Sequence, residues 1–237
     1  MAIYSVDLHV HTLLSPCAEV EMIPPLIIRQ AAEVGLDMIA VTDHNSAENV
    51  AAMVKAAKDS SVKVIPGIEC ESVEGVHLIC LFDKVEEALG MQEIIYSRLP
   101  NLENQPKTFG AQFVVDATGD FIRYNDRLLL VPTELTIEEI TENVQGFGGL
   151  VIPAHVNKST YGIYGALGFM PETPRFDAVE ISKHITPEEA VVKYPDLKGK
   201  MIFQSSDAHR LEELGSGRTM LELDHRTVSE IKKAIRK

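Results

Sequence analysis

The chain is short of cysteine, has no long apolar run and carries a deficit of positive charge. Three cysteines, Cys17, Cys70 and Cys80, argue against a disulfide framework in a chain with no sign of export. Cys70 and Cys80 lie among apolar residues and read as buried small hydrophobes, whereas Cys17 follows a proline in a loop. No stretch approaches the roughly 20 apolar residues of a membrane-spanning helix. The start, MAIYSVDLHVH, lacks the basic and apolar segments of a signal peptide, so the cytoplasm is the default compartment and no membrane partner is expected. Lys and Arg number 22 against 35 Asp and Glu, a formal net charge of −13 that disfavours nonspecific adhesion to nucleic acid or anionic lipid. An extended nucleic-acid surface is therefore not expected. An anionic substrate remains open, because bound metal ions can reverse the potential inside a site.

What is present is an ordinary globular composition with an alternating pattern. Ile3–Val10 reads as a strand, Pro24–Val34 as a helix opened by proline, Met38–Thr42 as a buried strand and Ser46–Ala57 as a helix capped by Ser46. Strands at Val62–Ile65 and Val76–Phe82 follow, then a helix over Val85–Ser97. The rhythm breaks at Arg98–Pro132, where Gln112–Val131 reads as a hairpin turning at Ala117–Asp120. It resumes with a helix at Thr136–Val144 and a strand at Gly149–Pro153, then Ala178–Ser182 (strand), Thr186–Tyr194 (helix) and Met201–Ser205 (strand). Thr136/Glu139 and Thr186/Glu189 form capping boxes. Arg218–Leu223 and Thr227–Arg236 close the chain. The expected fold is α/β, a distorted (β/α) barrel, read as one domain over residues 1–237 with an insertion at about 98–132.

Titratable residues recur at strand ends: Asp7-Leu8-His9-Val10-His11, Thr42-Asp43-His44, Pro66-Gly67-Ile68-Glu69, His77, Ala154-His155 and Ser206-Asp207-Ala208-His209. In a (β/α) barrel the carboxyl ends of the strands gather on one face, so groups distant in sequence converge there. Residues two apart on a strand point to one side, which lets His9 and His11 chelate one ion together. Any one of these groups alone is more simply a structural histidine or a capping carboxylate. Their recurrence at the same structural position favours a metal cluster of two or three ions, since the donors exceed what one four-coordinate ion needs. Imidazole and carboxylate suit zinc, iron or manganese.

The ordered set D-x-H-x-H, T-D-H, P-G-x-E, a strand histidine, A-H and S-D-A-H resembles the PHP (polymerase and histidinol phosphatase) superfamily from Asp7 to His209. That resemblance implies a distorted (β/α)7 TIM-like barrel holding up to three metals, usually with phosphoesterase activity. It places His9, His11, Glu69 and Asp207 on one metal. His44, His209 and Cys17 fall on a second, and Glu69 bridges to a third with His77 and His155. Cys17 departs from the Asp or His common at its position, and a thiolate there would favour zinc or iron. Asp7 and Asp43 are expected to orient ligating imidazoles. Catalysis is expected from Glu69, His44, Asp207 and His209, with a hydroxide held between two ions attacking phosphorus.

Lys158, Lys183, His184 and Arg210 are the candidate grips on a phosphate. Tyr161–Phe169 reads as a lid, a base-stacking surface or a packed loop. The expected substrate is a small phosphorylated metabolite, a nucleotide or a short oligonucleotide. A metal-dependent amidohydrolase and a non-catalytic metal-binding module are the competing readings. The sequence leaves oligomeric state open.

Overall fold

The computed structural model describes residues 1–236. Its elements run β1 (Ala2–Val10), α1 (Pro24–Glu33), β2 (Met38–Val41), α2 (Val50–Ala56), β3 (Lys63–Glu71), β4 (His77–Leu81) and α3 (Val85–Arg98). A short helix α4 (Pro106–Phe109) and the hairpin β5 (Phe113–Val115)–β6 (Phe121–Tyr124) occupy the predicted insertion. The chain continues with α5 (Ile137–Gly146), β7 (Leu150–Pro153), α6 (Ile163–Leu167), β8 (Ala178–Ile181), α7 (Pro187–Lys193), β9 (Met201–Gln204), β10 (Thr219–Leu223) and α8 (Val228–Ile235).

Local chemistry accounts for most boundaries. Pro24 and Pro25 begin α1, where the missing N–H groups would have no intrahelical partner. Both predicted capping boxes form, Thr136 with Glu139 and Thr186 with Glu189. The Ser46 cap does not. Its hydroxyl is taken by Gln92 and Tyr96, and α2 begins only at Val50. The hairpin is shorter than predicted but turns where expected. The Asp116 carboxylate closes the turn by accepting from the Thr118 and Asp120 N–H groups.

Six strands form one mixed sheet in the order β10-β1-β2-β3-β4-β7, and β8 and β9 form a parallel pair. Strands β1, β2 and β3 are parallel, but β4 runs against β3 and β7 against β4. The Ser72–Val76 connection between β3 and β4 is too short for a crossover, so it makes a tight return. A bridge between Val10 and Ala208 and the bond from Val156 N to Glu180 O bring β8 and β9 against the sheet. The expected parallel (β/α)7 barrel is thus realised as a mixed α/β fold with a curled sheet, not as one continuous parallel ladder.

Apolar residues fill two spaces. Inside the curl, Leu8, Ile65, Ile79, Ile152, Ala178 and Phe203 pack together with others. Between the sheet and the helices, the alternate strand positions pack on residues such as Ile27, Met53, Ile95 and Ile140. On β3, β4 and β8 the residues of inner parity change from apolar to ionisable toward one end of the curl: Ile65 gives way to Glu69, Ile79 to His77, and Ala178 to Glu180. That end holds the site.

Candidate metal centre

A bulge in β1 aims the first two histidines. The register between β1 and β2 shifts between Asp7 and Val10, so that β1 spends one more residue than its neighbour. Leu8 belongs to the inner core, and yet the adjacent His9 also reaches inward to the Glu69 carboxylate. Bulges re-aim side chains in this way beside functional sites. On the far side of Glu69, the antiparallel direction of β4 puts His77, its first residue, opposite Glu71. His77 therefore joins the cluster from the start of a strand, where a uniformly parallel barrel would supply it from an end.

Glu69 is the hub. It is 1% exposed and has five imidazoles at 2.7–3.4 Å: His9, His11, His44, His77 and His155. Asp207 Oδ1 adds 3.4 Å to His9 Nε2 and 3.3 Å to His11 Nε2. The rings of His11 and His209 stack with centroids 4.1 Å apart. His209 and Asp207 are joined by 2.9 Å from Nδ1 to the backbone oxygen. Cys17 sits at the rim with Sγ 3.3 Å from His44 Nε2. Every residue that the sequence nominated as a metal ligand is in this one cluster.

The hydrogen bonds decide where lone pairs point. His9 Nδ1 faces the Glu180 carboxylate at 3.1 and 3.3 Å. His11 Nδ1 is 2.9 Å from Ser15 Oγ, whose own proton goes to Asp43. Both imidazoles in their neutral form then carry the proton on Nδ1 and turn a lone pair out at Nε2. These two Nε2 atoms are 3.1 Å apart, with carboxylate oxygens of Glu69 and Asp207 beside them. With both rings neutral, four acceptors converge on a buried point, an arrangement that a cation would satisfy. His155 Nδ1 is also buried without a hydrogen-bond partner. Three triads of donor atoms lie within 4.8 Å of one another: His11-His44-His209, His9-His11-Glu69 and His44-Glu69-His77. The residues fit divalent cations bound by nitrogen, oxygen and, at the rim, sulfur.

The charges agree with that fit. Burial pushes Glu69 up, but the charges of His77, His9 and His44 hold it well below the usual carboxylate range. Burial lowers His9, and the charges of Glu180, Glu69 and Asp207 overcome it, so that the ring holds positive charge well above its usual range. His11 goes the other way, depressed by burial and then by His209 and His44. The crowded floor under Cys17 would raise its thiol, yet hydrogen bonds to His209 and His44 bring it down to about 6. A thiolate at neutral pH is the form that binds metal. Strain collects here as well. Asn45, His155, Tyr161 and Asp207 are the four non-glycine residues with positive φ among those described, at 50°, 29°, 61° and 52°.

Two expectations about supporting carboxylates change. Asp7 touches no imidazole: its oxygens accept from Ser206 N and Gly215 N at 3.0 Å each, which ties the Asp207 loop to β1. Asp43 does act on a histidine, but through Ser15. The carboxylate that does touch His9 is Glu180, which also accepts from His155 N at 3.0 Å. The sequence reading missed it. Its signal was a lone acid in the apolar strand AVEI, where a buried charge demands a partner.

The phosphate grips sort differently from expectation. Lys158 Nζ contacts Asp207 Oδ2 at 2.5 Å, at the edge of the cluster. Lys183 instead lies 3.6 Å from Glu213 and 3.3 Å from Ser216, and Arg210 pairs with Glu19 at 3.1 Å. Each cation is held by a nearer acid. His184 is exposed in the turn that follows β8. The Tyr161–Phe169 segment is partly helical and touches the cluster. Tyr161 stacks on His77 with centroids 4.4 Å apart, and Ile163–Leu167 form α6.

The chain matches the family model described as PHP domain over residues 7–144 and one described as PHP-associated over residues 191–237. No curated protein matches it in sequence. Among solved structures, the lesion-specific endonuclease Q of Pyrococcus furiosus superposes with a TM-score of 0.77 at 20% identity, over 99% of this chain and 56% of that one. Endonuclease Q in complex with a 27-mer duplex carrying an abasic lesion gives 0.74 at 21% identity, over 99% and 57%. A provisionally assigned metal-dependent phosphoesterase from Bifidobacterium adolescentis gives 0.57 at 17% identity, over 98% and 95%. At such identities the likeness is one of fold. The chain spans little more than half the length of the endonuclease Q chains it matches.

Proposed function

The chain belongs to the PHP domain family of metal-dependent hydrolases, and on that premise we propose that it hydrolyses phosphate esters with two or three bound zinc, iron or manganese ions. We read residues 1–237 as one such domain, with 98–132 as an insertion. The pairing of β10 with β1, which joins the two ends of the sequence in one sheet, supports that reading. The observation that carries the phosphoesterase assignment is Lys158, an ammonium group at the edge of an acceptor-rich cluster, touching Asp207. A phosphoryl group has more oxygens than the metals alone would hold, and a neutral amide would need no such cation.

His9, His11, Glu69 and Asp207 would hold one ion, His44, His209 and Cys17 a second, and Glu69 with His77 and His155 a third. Bound divalent ions would polarise the ester and lower the pKa of an attacking water. The protein's own contribution is positional. Glu180 and Ser15 fix the tautomers of His9 and His11. Burial of Glu69 keeps solvent from the floor. Lys158 would move from Asp207 to a phosphoryl oxygen when substrate enters. His44 and His209, with side chains 12% and 24% exposed, stand at the open side, where whichever of them is not committed to an ion would give a proton to the leaving oxygen. The substrate we propose is a small phosphorylated metabolite or the end of a nucleotide or short oligonucleotide.

The test is Lys158→Met in metal-loaded protein, assayed on phosphate monoesters and on N-acyl amides side by side. Loss of phosphate release by about 100-fold, with metal content unchanged, is the expected result. Amide cleavage insensitive to the substitution, with no phosphate release from either protein, would replace the reading with an amidohydrolase.

A further inference from the structure

Beyond the metal cluster, a cavity of about 610 Å³ opens between the segment after β7 and the end of α7. It is lined by Lys158 from the segment after β7, by Phe169 just past α6, and by Lys193 and Tyr194 at the end of α7. Its volume is in the range of small-molecule sites. Lys158 belongs both to this cavity and to the cluster, because its ammonium contacts Asp207. The cavity is therefore next to the site where a phosphoryl group would bind, with Lys158 common to both.

Its chemistry is specific. Tyr164 and Tyr194 stack with centroids 4.0 Å apart and planes 7° apart, a firm aromatic wall. The Asp196 carboxylate that also lines the cavity accepts the Tyr164 hydroxyl at 2.6 Å, so part of its hydrogen-bonding capacity is committed. Lys193 lies 5.2 Å from the Tyr194 ring centre and is solvent-exposed. Phe169 is 61% exposed, and no ring stacks on it among the described residues. Two lysines and an unpartnered aromatic face share one groove in a chain of net charge −13. Every nucleobase presents a flat π face to such a side chain, whereas a sugar phosphate has none.

We propose that this groove is the nucleoside subsite of the enzyme, with the base stacked on Phe169, the scissile phosphate at Lys158 and a further phosphate at Lys193. The assignment rests on the phosphoesterase reading and narrows its substrate to nucleotides or oligonucleotide ends over small sugar phosphates.

The experiment uses manganese-loaded protein and two readouts. Saturation-transfer NMR with adenosine and with ribose, neither of which can be dephosphorylated, reports on the groove alone. Phosphate release from AMP and from ribose 5-phosphate reports on the reaction. Adenosine is expected to bind and ribose not, and KM for AMP to be at least tenfold below that for ribose 5-phosphate. Phe169→Ala should abolish the adenosine signal and raise KM for AMP about tenfold, leaving kcat and the ribose 5-phosphate kinetics unchanged; Phe169→Trp should restore both. Lys193→Ala should weaken a dinucleotide more than AMP. No adenosine binding, or equal effects of Phe169→Ala on AMP and ribose 5-phosphate, would overturn the assignment even if phosphate is released. Adenosine binding that depends on Phe169, with no phosphate released from any ester, would leave the groove standing and remove the phosphoesterase reading instead.

Discussion

Replacing Glu180 with alanine should weaken metal binding although no ligand is altered. Glu180 is 1% exposed and spans two elements, with oxygens 3.1 and 3.3 Å from His9 Nδ1 and one of them 3.0 Å from His155 N. A hydrogen bond to a charged group contributes roughly 1.5–3 kcal/mol, and a buried donor left unpaired costs about 1–3 kcal/mol. Glu180→Ala strands two such donors. It also frees His9 to move its proton to Nε2, the atom that faces Glu69 and Asp207. Removing a partner of this kind lowers metal affinity by about 10- to 100-fold. Glu180→Gln keeps an acceptor of the same size without the charge, so a loss of under about tenfold is expected. The assay is competition with a chromogenic chelator for zinc and for manganese, alongside near-UV circular dichroism to verify folding. A folded Glu180→Ala protein that binds both metals with wild-type affinity would refute the reasoning.

Other consequences can be measured with the same preparations. Glu69→Gln and Asp207→Asn should each abolish phosphate release while leaving secondary structure intact by circular dichroism. Cys17→Ser removes the one soft donor, so zinc affinity should fall by about tenfold while manganese affinity changes little, measured by the same competition. Chelation should lower the melting temperature: an ion present at 100 times its Kd stabilises by about 2.7 kcal/mol, or roughly 5–11 °C for a chain of this size. In the metal-free protein the depressed carboxyls of Glu69 and Asp207 stabilise the fold above their ordinary range, and that contribution is lost on acidification. The raised imidazoles of His9, His44, His77 and His209 stabilise below their ordinary range, and theirs is lost as pH rises. From these six groups metal-free stability should therefore be largest between about pH 4.5 and 6.5, offset in part by the depressed imidazoles of His11 and His155, which disfavour the fold as pH falls through that range. Scanning calorimetry of chelated protein across pH tests this, and a monotonic rise to pH 9 would contradict it.

The cluster was legible because its donors are strand residues at recognisable spacings. His9 and His11 are two apart, and Thr42-Asp43-His44 and Ser206-Asp207-Ala208-His209 each close an apolar run. The supporting shell was not legible, since its contacts join residues with no fixed sequence offset. Glu180 lies 171 residues from His9, and only the curl of the sheet brings β8 under β1. Asp7 misled for the same reason. Its place beside His9 suggested a contact with an imidazole, but its carboxylate is bound to the backbone at Ser206 and Gly215. Strand direction was also hidden. The Ser72–Val76 return reverses β4, and a pattern of apolar residues does not say which way a strand runs. Lys183 and Arg210 follow strands as a phosphate grip should, but the acids that neutralise them, Glu213 and Glu19, come from other segments.

The most direct test is phosphate release from a panel of nucleotides, short oligonucleotides, sugar phosphates and histidinol phosphate, with protein loaded with manganese, zinc or ferrous iron. The account predicts metal-dependent release, fastest on the nucleotide members and absent in Asp207→Asn. Fully loaded, folded protein that releases no phosphate from any member under any of the three metals would contradict it.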